Sequence, residues 1–214
     1  MPRDTQSLSA ELLLMAYASG IFPMSESRDD PEVFWVDPKM RGVIPLDGFR
    51  MSRSLAKVIR SGRFVVTRDV DFDGVLAGCA ARDETWISTG LARIYAHLHT
   101  GGRAHSIEVW QDGRLAGGIF GVCLGSAFFG ESMFSTARDA SKVALAYTVA
   151  HLRRQGFRLF DTQFVTAHLA SLGGVEIRRA DYHARLRDAL ACPADIRAPL
   201  PTPQEVLHLR SQTS

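Results

Sequence analysis

Gly130-Glu131-Ser132-Met133-Phe134-Ser135 and, thirty residues on, Phe160-Asp161-Thr162-Gln163 are the two stretches whose reading decides the fold. Both have the apolar and aromatic make-up of strands, yet each carries an acid. A buried carboxylate is costly unless it is paired or hydrogen-bonded. Two such acids point to a site; two acids capping strand ends are the plainer alternative.

Outward from these strands the periodicity is clear. Asp139 is placed to cap a helix running to about Gln155, with Leu145, Val149 and Leu152 on one face and Gly156 after it. Phe157 to Gln163 is then a strand. Thr166 caps a short helix ending at Gly173-Gly174, Val175 to Ile177 is a strand, and Asp181 caps a helix to Leu190. The tail after Cys192 holds four prolines and reads as irregular. Upstream, Ser106 to Gln111 and Arg114 to Phe120 flank Asp112-Gly113, a strong hairpin signal, and a third strand covers Gly125 to Gly130. Helices are predicted at Ser54–Ser61, Asp71–Ala80 and Leu91–Thr100, with a strand at Phe64–Thr67. A first helix, Ser9–Ser19, capped by Ser7 or Ser9 and ended by Gly20, leads to an acidic loop and a short strand, Phe34–Val36.

The order after the opening segment is β-α-α-β-β-β-α-β-α-β, that of the acetyltransferase-like (GNAT-like) α+β fold. A mixed sheet flanked by helices splays between its fourth and fifth strands to make the site. The expected organisation is a small N-terminal lobe (1–40), a catalytic domain (41–192) and a C-terminal tail (193–214). Period-2 spacing puts Asp161 and Gln163 on one face, so Glu131 and Asp161 should flank one cleft.

Composition narrows the class. Of 214 residues, 46% are hydrophobic and 22% charged, ordinary for a globular chain, and the net charge of +2 leaves nucleic-acid affinity to a local patch. Cys79, Cys123 and Cys192 are scattered and odd in number, which argues against disulfides and a zinc site and for a reducing compartment. His97, His99 and His105 make a weak metal case. The start of the chain lacks a signal-peptide pattern, and the apolar run Leu12–Ala18 is too short to span a membrane, so a cytoplasmic protein is expected. Arg53, Lys57 and Arg60 share one helix face, flanked by Arg50, Arg63 and Arg68. They are either a solvated face or a phosphate-backbone contact. Trp86, Tyr95, Trp110, Phe128 and Phe129 are core residues or, with a carboxylate cleft, the wall of an apolar pocket. Acetyltransferases of this fold bind the coenzyme A pyrophosphate on a glycine-rich loop before the next helix. Here that stretch is Ser135-Thr136-Ala137-Arg138-Asp139-Ala140, with no glycine and with an acid where phosphate would sit.

These residues belong to a wider pattern. Tyr17–Pro23 (YASGIFP), Met51–Ser54, Thr85-Trp86-Ile87, Ala104–Trp110 (AHSIEVW), Gly117–Gly121, Gly130–Ser135 (GESMFS), Ala140-Ser141-Lys142, Asp161 with Gln163, and Ala170–Gly173 run in order along nearly the whole chain. The chain resembles the leucyl/phenylalanyl-tRNA–protein transferases. That resemblance implies transfer of Leu or Phe, also Met, from aminoacyl-tRNA to an N-terminal Arg or Lys, marking the acceptor for degradation in the N-degron pathway. It implies no cofactor and no metal; no membrane partner and a monomer are expected besides. By the same resemblance Asp161 orients or deprotonates the attacking amine, Gln163 holds the carbonyl or its oxyanion, and Glu131 binds the donor's amino group. Trp86, Phe128, Tyr17, Tyr95 and Ile119 form the aminoacyl pocket, and Arg53, Lys57 and Arg60 touch the acceptor stem. Met24 departs from the pattern: many members have Trp there, able to stack on the terminal adenine. The competing readings are an acyltransferase of the same fold using another donor such as acyl-CoA, and a pure RNA-binding module.

Overall fold

Local capping sets most of the helices. In the computed structural model, which describes residues 8–82 and 85–209, Ser9 accepts from Leu12 N (3.2 Å) to open α1 (Ala10–Ala18). The alternative cap, Ser7, lies outside the described residues. A two-stranded ribbon follows, β1 (Phe22–Met24) paired antiparallel with β2 (Phe34–Val36). The main sheet begins with β3 (Met40–Val43), which the sequence reading missed. Then come α2 (Arg53–Arg60), β4 (Val65–Arg68), α3 (Phe72–Ala80), α4 (Thr89–Thr100), β5 (Ala104–Gln111), β6 (Arg114–Leu124) and β7 (Ala127–Ser135). α5 (Ala140–Arg154), β8 (Leu159–Gln163), α6 (Ala167–Ser171), β9 (Val175–Arg178), α7 (Arg179–Leu190) and α8 (Pro203–Leu207) complete the chain. Ser52, Asp71, Ser88 and Thr166 cap α2, α3, α4 and α6 through their side-chain oxygens. Asp112 and Gly113 both take positive φ (51° and 73°), the geometry that the β5–β6 hairpin turn requires.

Among the described residues the sheet has seven strands in the order β4-β5-β6-β7-β8-β3-β9, antiparallel except for β7 and β8. The architecture is therefore mixed α+β, with a mostly antiparallel sheet flanked by helices. One core contains Ile107, Val109, Ile119, Phe128 and Phe160 packed with residues of α2 and α5. The other contains Val43, Phe120, Val122 and Phe129 packed with residues of α1, α3, α4 and α7.

Three expectations need correction. Asp139 stands before α5 but with φ +72° and no capping bond; its carboxylate takes Lys142 Nζ (3.0 Å) instead. Asp181 lies inside the first turn of α7, whose N-cap is Arg178. The tail is not irregular throughout. Thr202 and Glu205 form a capping box, Pro203 occupies the start of α8, and Ile196, Val206 and Leu209 are buried in the core. Proline at a helix start has no N–H to lose, so it begins this helix instead of breaking it. Arg68 fastens the tail by donating to the carbonyls of Ile196, Arg197 and Ala198, which takes it out of the basic cluster around α2.

Candidate active site

β7 and β8 part company. They pair over three positions, ending at Phe129–Asp161, after which β7 runs on to Ser135 alongside β6. Each strand carries a register shift where they separate. Phe120 faces Ser132 and Gly121 faces Gly130, so Glu131 is an extra residue on β7. Gly42 faces Gln163 and Val43 faces Asp161, so Thr162 is an extra residue on β8. Such bulges bend a strand and re-aim its side chains. Between them lies a cleft of about 760 Å³, lined by Phe22, Met24, Trp86, Ile119, Glu131, Met133, Phe160, Thr162, Gln163 and His168 among others.

Glu131 is buried, 8% exposed, and accepts from the Tyr95 hydroxyl (3.0 Å), which is itself hydrogen-bonded to the Tyr17 hydroxyl (2.9 Å). Burial pushes the Glu131 carboxyl up to about 8; the two tyrosine hydroxyls and Arg41 pull against that, and Asp161 adds to it. The nearest end of the Gln163 amide lies 3.4 Å from Glu131 Oε1. With its nitrogen turned the other way, that amide donates to the Gly130 and Thr162 carbonyls, both at 3.0 Å. Two well-placed bonds outweigh one long one, so the amide oxygen is the atom that faces Glu131. Two acceptor oxygens then meet across the cleft, and a carboxyl proton or a bound amine must lie between them.

Asp161 sits differently. It is fully buried and absent from the cleft lining. Arg41 Nε donates to Oδ1 (2.9 Å) and Arg41 Nη2 to Oδ2 (2.6 Å). The Tyr182 hydroxyl donates to Oδ2 (2.9 Å), and the backbone N–H of Gln163 to Oδ1 (2.9 Å). Burial, with Asp161 next, pushes the Tyr182 phenol up, so it stays a donor. The Arg41 guanidinium stacks between Phe22 and Tyr182, 4.4 Å from each ring centre, and its third nitrogen donates to Gly20 O (3.0 Å). Gln163 itself has φ +57°, uncommon for a residue with a side chain, and Phe164 N closes a tight turn around it onto Thr162 O (2.6 Å). The carboxylate of Asp161 therefore clamps the strained backbone that aims Gln163.

Two family descriptions match the chain: leucyl/phenylalanyl-tRNA protein transferase over residues 43–187, and the N-terminal domain of the same transferase over residues 6–39. The leucyl/phenylalanyl-tRNA–protein transferase of Ruegeria sp. (strain TM1040) is 61% identical over 209 residues, 97% of this chain and 100% of that one. This chain belongs to that family. The namesake of Cereibacter sphaeroides (strain ATCC 17025 / ATH 2.4.3) is 58% identical, covering 97% of this chain and 98% of that one. Among solved structures, the C-terminal domain of a putative lysylphosphatidylglycerol synthetase from Agrobacterium fabrum is 13% identical with a TM-score of 0.40, covering 85% of this chain and 62% of that one. That likeness is too slight to bear on function.

Against the leucyl/phenylalanyl-tRNA–protein transferase pattern, the structure brings together some of the expected residues and not others. Glu131, Gln163, Trp86 and Ile119 line the cleft. Tyr17 and Tyr95 lie behind it, wholly buried, and reach it through the hydroxyl chain to Glu131. Phe128, expected in the pocket wall, is buried in the core beneath α5, 5.2 Å from the Phe160 ring. It precedes the point where the strands part, so it packs inside the paired sheet. Asp161, expected to share a face with Gln163, does not, because the bulge at Thr162 breaks the period of two. Arg53, Lys57 and Arg60 are all exposed on α2, whose Leu55, Ala56 and Ile59 are buried. Arg41, Tyr182, Thr162 and His168 were missed. Nothing in Met40-Arg41-Gly42-Val43 marks a buried cation whose partner lies 120 residues away. Among the described residues no cluster of ligating side chains could hold a metal ion, and no helix is long and apolar enough to cross a membrane.

Proposed function

We propose that this chain transfers Leu or Phe, and also Met, from aminoacyl-tRNA to the N-terminal Arg or Lys of acceptor proteins, marking them for degradation by the N-degron route. Membership of the family supports the reading, and the facing oxygens of Glu131 and Gln163 at the end of an apolar cleft carry it. Trp86 and Ile119 receive an apolar side chain, and Glu131 receives the amino group of the donor. The ester linking amino acid to tRNA is already activated, so positioning supplies most of what the reaction needs. The acceptor's α-amine attacks the ester carbonyl; a C–N bond forms, the C–O bond to ribose breaks, the amine gives up a proton and the ribose oxygen gains one. The Gln163 amide oxygen accepts from the attacking amine and holds its lone pair on the carbonyl carbon. Asp161 acts through Gln163: all its strong acceptor positions are occupied by Arg41, Tyr182 and the Gln163 backbone.

On this reading the opening segment, assigned to residues 1–40 and described from residue 8, is a small lobe that brings Phe22 and Met24 to the cleft of an acetyltransferase-like domain, 41–192. The parting of β7 and β8 supports that likeness. Residues 193–209 brace α5 through His151 and Arg154, and Arg53, Lys57 and Arg60 contact tRNA phosphates without reading sequence. On the same reading the enzyme works in the cytoplasm as a monomer and draws on neither cofactor nor metal. The test offers labelled Phe-tRNA with a peptide beginning with Arg and the same peptide beginning with Ala, without coenzyme A. Label is expected on the Arg peptide alone; label on neither, with Leu, Phe and Met donors all tried, would refute the reading.

A further inference from the structure

Every residue of β7 from Gly130 to Ser135 lines the cleft, whereas β6 beside it contributes Ile119 alone. Side chains alternate along a strand, so a strand seen from one face offers every second residue. An unbroken run is a strand seen from its edge. β7 pairs with β6 along one edge as far as Ser135, but β8 follows the other edge only as far as Phe129. Beyond that point no strand lies along it among the described residues.

This edge has backbone groups to offer. The turned Gln163 amide takes the Gly130 carbonyl (3.0 Å). Further out, Arg82 donates to Met133 O, so Met133 turns its carbonyl away from β6. In an antiparallel pair, residues whose peptide groups face the partner alternate with residues whose groups face away. Ser135 therefore faces outward with Met133, and Phe134 between them pairs with Gly118. Arg82 is exposed and follows α3 in a loop, so its contact is a side-chain one that another donor can replace. An uncovered strand edge is a template for a further chain.

On the transferase reading two molecules meet in the cleft. The donor continues from its one amino acid into ribose and phosphate, which carry no N–H and C=O groups at strand spacing. The acceptor is a polypeptide. Its amine reacts beside Gln163, at the inner end of this edge, and its chain has to lead outward from there. Acceptors share only their first residue, and main-chain pairing is the mode of recognition that leaves the following side chains free.

We infer that the edge of β7 at Met133 and Ser135 takes the backbone of the acceptor protein as an added parallel strand, in the place that β8 gives up. The inference rests on the transferase reading. One acceptor residue donates its N–H to Met133 O, displacing Arg82, and accepts at its C=O from the Ser135 N–H. The residues on either side of it point their peptide groups the other way.

The test uses Phe-tRNA with a peptide beginning with Arg, and the same peptide with an ester in place of the amide at residue 2, 3 or 4. Each ester removes one N–H and keeps the shape. Losses of roughly tenfold in kcat/KM, one hydrogen bond each, are expected at alternate positions only, with the positions between them nearly unaffected. On the protein side, Ser135→Pro removes the outward N–H without touching the ladder to β6. Ser135→Ala loses the same side-chain bonds and sets its baseline. Relative to that baseline Ser135→Pro should lose roughly tenfold with the Arg peptide and nothing with arginine amide, which has no backbone to pair. Equal losses at every ester position, no loss at any, or a Ser135→Pro defect as large with arginine amide overturn the added strand while leaving the transferase intact. A wild-type protein that labels neither acceptor overturns both.

Discussion

The two acids that stand out in the sequence differ in almost everything except their chemistry. Asp161 is sealed behind the cleft, and Arg41, Tyr182 and a backbone N–H occupy its oxygens. Glu131 faces the cleft with one strong donor, the Tyr95 hydroxyl, and its proton affinity is raised to about 8. One acid is finished by the fold; the other is left for a ligand to finish. The difference arises from two bulges, one on each side of the place where β7 and β8 part. Each strand with an acid in it reads alike as text, but only Glu131 is the extra residue of its bulge. A buried carboxylate is therefore read by what satisfies it, not by its being buried.

The sharpest way to break this contrast is to remove one half of the sealed pair. Arg41→Met or Asp161→Ala leaves an uncompensated buried charge, and a loss of about 3–5 kcal/mol in unfolding free energy is expected by denaturant titration. Activity should fall with it. The charge-conserving Arg41→Lys keeps a cation but not the two-pronged contact, and should leave a folded protein with impaired kcat. A folded, fully active Asp161→Ala would contradict the clamp.

Glu131→Gln addresses the other half. It keeps the shape and the hydrogen bonding of the neutral acid, so folding should survive while kcat/KM for transfer falls roughly 100-fold. Its effect on stability has the opposite sign at alkaline pH. The folded carboxyl binds its proton up to about 8 against an ordinary value of 4.5, so the native state holds the extra proton between those values. The Glu131 contribution to wild-type stability is therefore fully present on the acid side and is lost as pH rises from about 5 to about 8, by no more than a few kcal/mol, while the depressed imidazoles of His151 and His168 act in the opposite direction. Thermal unfolding across that range should show the Glu131 contribution as a stability difference between wild type and Glu131→Gln that shifts in favour of the variant as pH rises.

Gln163→Ala is expected to cost about 10- to 100-fold in kcat, with a smaller change in KM for aminoacyl-tRNA, because its contact is to the attacking amine. Gln163→Gly relieves the positive φ of 57° as well, so it should be the more stable of the two while being equally slow. The smallest effect is expected on α2. Replacing Arg53, Lys57 and Arg60 together should weaken tRNA binding and reduce the slope of log K against log salt by about 2–3, with kcat unchanged at saturation.

Most helices and the β5–β6 hairpin were legible because their signals are local: Ser, Thr and Asp caps, terminal glycines, and Asp112-Gly113. The parting of the two acid-bearing strands was legible from element order. What escaped depends on residues far apart in the chain. β3 is four residues with an arginine inside, and only the Asp161 partner makes Arg41 tolerable there. The bulges exist only relative to β6 and β3, so spacing alone set Asp161 and Gln163 on one face, and the family resemblance set Phe128 in the pocket. The tail reads as irregular because prolines usually break helices, yet Thr202 and Glu205 stand at the spacing of a capping box, which marks the start of α8.

Carboxyl-carbon NMR of protein labelled at Asp and Glu, titrated with and without an unreactive amide-linked analogue of phenylalanyl-adenosine, tests the division between the two acids most directly. One glutamate resonance, lost in Glu131→Gln, is expected to titrate near 8 in the free protein, and its midpoint should fall when the analogue's amine binds. The Asp161 resonance should not respond to the analogue. A Glu131 carboxyl that titrates in the ordinary range, or an Asp161 that shifts on binding while Glu131 does not, would contradict the account.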